Sequence, residues 1–136
     1  MLVEDEDDHH FITKLVLRQA QYSGTFTAFH DPMDALEHLR KSGDRPDLML
    51  VDINMPGTSG FEFLGACEEE GLLPNGRTHV VMCSSSIHPM DLEMARRTST
   101  VHDYIEKSFS VEQFHRLSEA IQQKVDQQPG INPPLP

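Results

Sequence analysis

Five groups that could act together in one chemical site come directly or shortly after short apolar runs. These groups are Glu4, Asp5, Asp52, Ser84 and Lys107. Three carboxylates at one place repel one another unless a cation neutralises them. Mg²⁺ is the natural occupant, because it binds one or two carboxylates together with water and phosphate oxygens. An aspartate beside such an ion can be a nucleophile for phosphoryl transfer, and a lysine and a serine could donate to the phosphoryl oxygens.

The stretch that would position the central carboxylate covers residues 47–60. Residues 48–51 have the length and apolar character of a buried strand, which ends at Asp52. Pro56 and Gly57 force a turn, and Ser59 with Glu62 reads as a capping box that opens a helix. In open α/β sheets, ligands bind at the carboxyl ends of the strands, and Asp52 stands at such an end.

Strand and helix patterns alternate five times along the chain. The predicted strands cover residues 1–3, 25–29, 47–52, 79–83 and 101–105, although three residues are few for a first strand. Amphipathic or capped helical segments follow each of them. This alternation predicts an α/β fold, a doubly wound parallel sheet with helices on both faces. Right-handed crossovers would bring the five chemical groups to one edge of that sheet.

Length and composition indicate one domain of 136 residues with a formal net charge of −11. That charge argues against direct nucleic-acid binding, which needs clustered Lys and Arg. Two cysteines are too few for a disulfide framework. We expect no membrane insertion, since no apolar run has the length of a span. The domain is predicted at 1–126, followed by a disordered tail at 127–136 that is rich in Pro and Gln.

Taken together, these motifs resemble those of a bacterial response-regulator receiver domain of the stand-alone type used in chemotaxis and phosphorelays. The resemblance covers residues 1–126, and its residues stand in the family's order and spacing. They are Glu4 and Asp5, Asp52 with Met55, Pro56 and Gly60, then Ser84, Tyr104 and Lys107. It implies a flavodoxin-like (βα)5 fold with strand order 2-1-3-4-5.

The resemblance also implies roles for the metal and phosphoryl groups. Asp52 would accept the phosphoryl group, and Lys107 would bridge it to the acidic cluster. Mg²⁺, or Mn²⁺ in its place, would be bound by Asp5 and Asp52 directly, by the backbone carbonyl of Asn54, and by Glu4 through water.

Further roles concern signalling. Ser84 would hydrogen-bond the phosphoryl group and shift the loop after the fourth strand, and Tyr104 would respond by turning inward. The side chains of Asn54 and Ser86 would tune hydrolysis of the acyl phosphate.

The implied protein is a cytoplasmic phospho-acceptor and not a conventional enzyme, with self-catalysed phosphorylation and dephosphorylation. Its donor would be a sensor histidine kinase or a phosphotransfer protein. Its output would be a changed contact with a downstream protein through the surface of helix 4, strand 5 and helix 5.

One departure from the family pattern is Ser108, which follows Lys107 where receivers usually carry proline after a cis bond. A cis bond before a non-proline residue is unfavourable, so the bond is either cis or trans with the lysine loop placed differently. Ser108 keeps open the alternative of a phosphate-independent, receiver-like interaction module.

Two further alternatives are weaker. A phosphatase of the haloacid-dehalogenase type needs a second Asp two residues after the nucleophile, where this chain has Asn54. A flavin or nucleotide binder would need a glycine-rich phosphate loop after the first strand. His9 and His10 could suggest a separate metal site, but we interpret them as surface residues, because adjacent residues of a helix point in different directions.

Overall fold

A computed structural model describes residues 1–43, 45–73, 77–86 and 88–127. Over these residues the chain alternates between five strands and five helices. The strands are β1 (Leu2–Val3), β2 (Ala28–Phe29), β3 (Leu48–Asp52), β4 (His79–Ser84) and β5 (Val101–Glu106). The helices are α1 (Asp7–Gln19), α2 (Pro32–Ser42), α3 (Gly60–Glu69), α4 (Pro89–Arg97) and α5 (Val111–Gln127).

The strands form one parallel sheet in the order β2-β1-β3-β4-β5. Both the predicted fold class and the predicted strand order are confirmed. β3 lies at the centre, where it pairs with β1 on one side and with β4 on the other. Because the pairs are parallel, the carboxyl ends of all the strands lie at the same edge of the sheet.

Two apolar clusters cover the two faces of the sheet, and successive residues of β3 contribute to them in turn. Met49 and Val51 belong to one cluster with residues of α2 and α3. Leu50 belongs to the other with residues of α1 and α5. Both faces are therefore buried, as is usual for parallel sheets, and the middle of β3 is held rigidly beneath the carboxylate that ends it.

Side-chain caps fix where several helices begin. The Asp31 carboxylate accepts a hydrogen bond from Met33 N at 2.9 Å and starts α2. The Ser59 hydroxyl accepts one from Glu62 N at 3.1 Å and starts α3. Before α5, Ser110 and Gln113 bond to each other's backbone N–H groups, which is a reciprocal capping box.

Strand β2 and helix α5 differ from the sequence prediction, whereas the other four strands agree with it to within one residue at each end. Strand β2 has two residues instead of the predicted five, because its neighbour β1 has only two with which to pair, Leu2 opposite Ala28 and Val3 opposite Phe29. Helix α5 includes Gln127, which the prediction assigned to the tail. Residues 128–136 lie outside the described residues, so the disordered tail stays a prediction. Within the described ranges, the helices are too short or too polar to cross a membrane.

Candidate functional site

The candidate site is built around Asp52 at the carboxyl end of β3. Asp52 is 4% exposed. The turn after it is formed by Gly57, whose φ of +81° favours glycine, and the chain then returns close to the strand. A Cβ on Gly60 would lie 2.3 Å from the Asp52 carbonyl oxygen. Only glycine can therefore bring the start of α3 this close to the acidic residue.

A single ammonium joins the two buried carboxylates. Lys107 Nζ lies 2.6 Å from Glu4 Oε2 and 3.2 Å from Asp52 Oδ1. The lysine backbone is held in turn, because Lys107 N donates to Ser84 O at 2.8 Å. The sequence left open whether the Lys107–Ser108 peptide bond is cis or trans, and in the structure it is cis. The lysine loop thus places its charge in the site although serine replaces the usual proline.

Glu4 is the most firmly held residue of the site and is 1% exposed. Its backbone N–H donates to Phe29 O at 3.0 Å. Its carbonyl oxygen lies 2.6 Å from His10 Nε2. Its carboxylate accepts from Glu6 N at 3.2 Å and pairs with Lys107. Neighbouring segments thus fix every polar group of this residue.

The environment shifts the pKa values of the central pair. The pKa of Asp52 is raised from 3.8 to about 7, first because the carboxyl is buried and second because the Glu4 carboxylate repels its charge. Lys107 acts in the opposite direction but does not cancel these effects. Burial alone would lower the pKa of Lys107, yet its hydrogen bond to Glu4 and the charge of Asp52 raise it overall. One ammonium is insufficient to neutralise the carboxylates around it.

The donor set fits a divalent cation. Among the described residues, the buried Asp5 Oδ1 has no hydrogen-bond partner, which is costly for a carboxylate oxygen unless a cation or water meets it. Carboxylate oxygens of Glu4, Asp5 and Glu6 lie within 4.8 Å of one another. Oxygen ligands of this kind are those that Mg²⁺ prefers. Glu6 was not predicted, because it stands in an acidic run that reads as a solvated helix start.

The predicted switch residues lie beside the site. Ser84 Oγ donates to Ser86 O at 2.7 Å and accepts from Ser86 N at 3.3 Å. Within the described part of the chain, the Tyr104 hydroxyl is buried and makes no well-formed hydrogen bond, although the Ser84 hydroxyl lies near it. Its pKa is raised by that burial, an effect that the nearby Ser84 hydroxyl partly offsets. The side chains of Asn54 and Ser86 are exposed.

The interpretation of the two adjacent histidines as surface residues is wrong for His10. This side chain is 5% exposed, and its ring stacks on that of His30 with 3.9 Å between centroids and 3° between planes. His9 is half-buried, with Nε2 3.6 Å from Glu6 Oε2. The sequence does show that the two rings point in different directions. It could not show that a histidine 20 residues later covers one of them.

The sequence of the chain matches a known protein family and several curated proteins. A family model described as the response regulator receiver domain matches residues 1–120. Among curated proteins, the transcriptional regulatory protein CseB of Streptomyces coelicolor is 29% identical over 109 residues, which are 80% of this chain and 42% of that protein. The sensory transduction protein BceR of Halalkalibacterium halodurans is 25% identical over 120 residues, 88% of this chain and 48% of that protein. The chain thus spans less than half the length of these relatives.

Solved structures share the fold. A two-component response regulator from Cytophaga hutchinsonii superposes with a TM-score of 0.80 at 22% identity, covering 90% of this chain and 94% of that one. A receiver protein from Dyadobacter fermentans gives 0.74 at 26% identity, with 89% and 94% covered. A CheY-like receiver domain protein from Methanospirillum hungatei gives 0.74 at 23% identity, with 93% and 96% covered.

Proposed function

This chain belongs to the response regulator receiver domain family of two-component systems, and from that premise we propose that it accepts a phosphoryl group on Asp52 from a histidine kinase or a phosphotransfer protein. The observation that carries the proposal is the contact of one buried ammonium, that of Lys107, with the carboxylates of Glu4 and Asp52. A buried lysine between two acids places a fixed positive charge where a phosphoryl oxygen would arrive.

In the proposed transfer, an ionised Asp52 oxygen forms a bond to phosphorus while the bond from phosphorus to the donor's imidazole nitrogen breaks. The leaving imidazole takes up a proton. Because the pKa of Asp52 is raised to about 7, any positive charge added beside it increases the ionised, nucleophilic fraction at neutral pH. Lys107 then donates to an oxygen of the transferred group while it remains paired with Glu4.

The proposed cofactor is Mg²⁺, for which Mn²⁺ can substitute. Asp5 and Asp52 would bind it directly, together with the backbone carbonyl of Asn54, and Glu4 would bind it through water. The unpartnered, buried Asp5 Oδ1 supports this assignment. When bound, the ion would offset the charge of the carboxylates and of the phosphoryl oxygens.

Receiver domains are generally not conventional enzymes, and the proposed product remains attached to Asp52 until water hydrolyses it. We assign this self-catalysed hydrolysis to the same site. The exposed side chains of Asn54 and Ser86 are free of the core and would set how readily water approaches the acyl phosphate.

The proposed output is a changed protein contact. Ser84 Oγ would leave its bond to Ser86 O and turn to the phosphoryl group, which alters packing around the buried Tyr104 hydroxyl. The phosphoryl group would bias an existing equilibrium between two conformations. On α4, Met90 and Met94 are 74% and 49% exposed, which supports a protein target that binds the α4, β5 and α5 surface. Cys67 and Cys83 are both free thiols, in keeping with the cytoplasmic location that we propose.

The test is the intact mass of the protein after incubation with acetyl phosphate and Mg²⁺. We expect one added phosphoryl group in the wild type and in the control Asp8→Asn, whose side chain is exposed. We expect none in Asp52→Asn or in the wild type with a chelator. Labelling of folded Asp52→Asn would refute the assignment of the acceptor. An unlabelled, folded wild type that binds no Mg²⁺ would favour the phosphate-independent interaction module.

A further inference from the structure

The backbone carbonyl of Glu4 has an unusual partner. Its oxygen lies 2.6 Å from His10 Nε2, and both residues are buried. A carbonyl oxygen can only accept, so His10 Nε2 carries the hydrogen and donates it. The carbonyl belongs to the peptide unit that links Glu4 to Asp5. A change at His10 therefore acts directly on the backbone between these two acidic residues.

The donating ring is itself held in place from two directions. Residue 10 lies in α1, and the His30 ring covers its ring in a nearly parallel stack. His30 follows β2, and its Nε2 donates to Asp7 Oδ1 at 2.6 Å. The first turn of α1 and the end of β2 thus clamp the His10 ring at the carbonyl. The ring therefore does more than fill space, because an apolar ring in its place would leave the Glu4 carbonyl oxygen without this donor.

From this geometry we propose that His10 is a positioning residue for the cation site: its ring N–H fixes the Glu4–Asp5 peptide, and so sets the directions of the two carboxylates. The inference rests on the proposed function, because it assumes that Asp5 and Glu4 serve a divalent cation. His10 holds the carbonyl of the Glu4–Asp5 peptide, and Phe29 O holds the N–H of Glu4, which belongs to the preceding peptide, so the backbone on both sides of the Glu4 Cα has little freedom to rotate. Asp5 Oδ1 then stays buried without a partner instead of turning to solvent.

Hydrogen bonds behind the ligands commonly control metal affinity, and their loss typically weakens binding by about 10- to 100-fold. Here the bond acts on the backbone of two acidic residues instead of on a ligand atom. We therefore expect the lower end of that range. Losing the donor would also leave the buried Glu4 carbonyl without a partner, and the loop could recover a partner only by turning toward water.

The test compares His10→Phe with His10→Gln. Phe keeps a ring to stack on His30 but has no donor, whereas the Gln amide can place an N–H near the position of Nε2. The matched control is His115→Phe, an exposed position on α5. The affinity for Mg²⁺ is measured by calorimetry, and that for Mn²⁺ by the electron paramagnetic resonance of the free ion. We expect both affinities to fall about tenfold in His10→Phe, to recover most of the loss in His10→Gln, and to be unchanged in His115→Phe.

The outcomes distinguish a failure of this inference from a failure of the proposed function. A folded His10→Phe variant that binds Mg²⁺ and Mn²⁺ as tightly as the wild type would overturn this inference but not the proposed function. A His10→Gln variant that binds the ions as weakly as His10→Phe would do the same, because the loss would then come from ring packing and not from the missing donor. A wild type that binds neither ion would overturn the proposed function and this inference with it. If His10→Phe does not fold, the nitrogen-15 spectrum of wild-type His10 replaces it. The Nε2–H signal must then shift during Mg²⁺ titration with the same midpoint as the Asp5 amide, and a signal that does not move would overturn the inference.

Discussion

Replacing Asp52 by Asn should stabilise the fold, and more so at high pH than at low pH. The structure buries this carboxyl beside Glu4, so its pKa is raised from 3.8 to about 7. A group with a higher pKa in the folded state binds more protons when folded than when unfolded. The free energy of unfolding therefore falls as the pH rises between those two values. Asn has nearly the same shape but no charge, so the variant does not lose stability at this position as the pH rises.

The magnitude follows from the two pKa values. Each tenfold change in proton concentration is worth about 1.4 kcal/mol for a group that is ionised in one state and protonated in the other. With a pKa of 3.8 unfolded and about 7 folded, ionisation of Asp52 lowers the stability by about 1.7 kcal/mol at pH 5 and about 4.3 kcal/mol at pH 8. The Asn variant should therefore gain about 2 to 3 kcal/mol relative to the wild type between these pH values.

Urea unfolding of both proteins at pH 5 and pH 8 measures this difference. A chelator keeps divalent cations from binding to the acidic residues. The contributions of all other titrating groups largely cancel when the variant is subtracted from the wild type at each pH. The matched control is Asp34→Asn, since Asp34 is exposed at the start of α2, and its stability relative to the wild type should change far less.

A stability difference between Asp52→Asn and the wild type that is equal at pH 5 and pH 8 would refute the reasoning. It would mean that the charge of Lys107 fully compensates for burial and for Glu4. A wild type that is more stable than Asp52→Asn at pH 8 would contradict the reasoning more strongly, because the pKa of Asp52 in the folded state would then lie below its ordinary value. Adding Mg²⁺ at pH 8 should stabilise the wild type much more than the variant.

Four further substitutions test other parts of the structure by urea or thermal unfolding. Lys107→Met leaves two buried carboxylates without their ammonium and should cost about 3–5 kcal/mol at pH 7; a loss below 1 kcal/mol would contradict the buried pairing. Gly60→Ala brings a Cβ against the Asp52 carbonyl and should lower the stability by about 1–3 kcal/mol. At Gly65 an added Cβ would meet none of the described atoms within 4 Å, so Gly65→Ala should stabilise α3 by about 0.5–1 kcal/mol. Leu64→Ala empties a fully buried position and should cost about 2–5 kcal/mol without changing the affinity for Mg²⁺.

Local sequence signals predicted the fold well where one segment determines its own structure. The apolar run before Asp52 is a buried central strand, and the residues after it form the predicted turn and helix start. The predicted helix start at Ser59 is present, with the Ser59 hydroxyl accepting from Glu62 N. These features depend on neighbours within a few residues. The length of β2 was predicted less well, because it depends on its partner strand.

The same distinction applies to the site. The order of strands brings Glu4, Asp52 and Lys107 to one edge, and the structure places them in direct contact. The sequence could not show that His10 is buried, because its covering ring, that of His30, comes from another element. Contacts made by only two or three atoms across elements leave no periodic pattern in a sequence.

The charge arrangement of the site would allow the response to a ligand that we propose. A site with one ammonium for each carboxylate would be stable and inert, because an arriving cation or phosphoryl group would have to displace a satisfied partner. Here Lys107 is shared between two carboxylates, the pKa of Asp52 is raised, and Asp5 Oδ1 finds no hydrogen-bond partner in the described ranges. The apolar clusters on both faces of the sheet must offset that unfavourable energy. In the proposed function, ligand binding would relieve a repulsion that folding has left in place, so the free energy of binding could be directed to the proposed change at Ser84 and Tyr104.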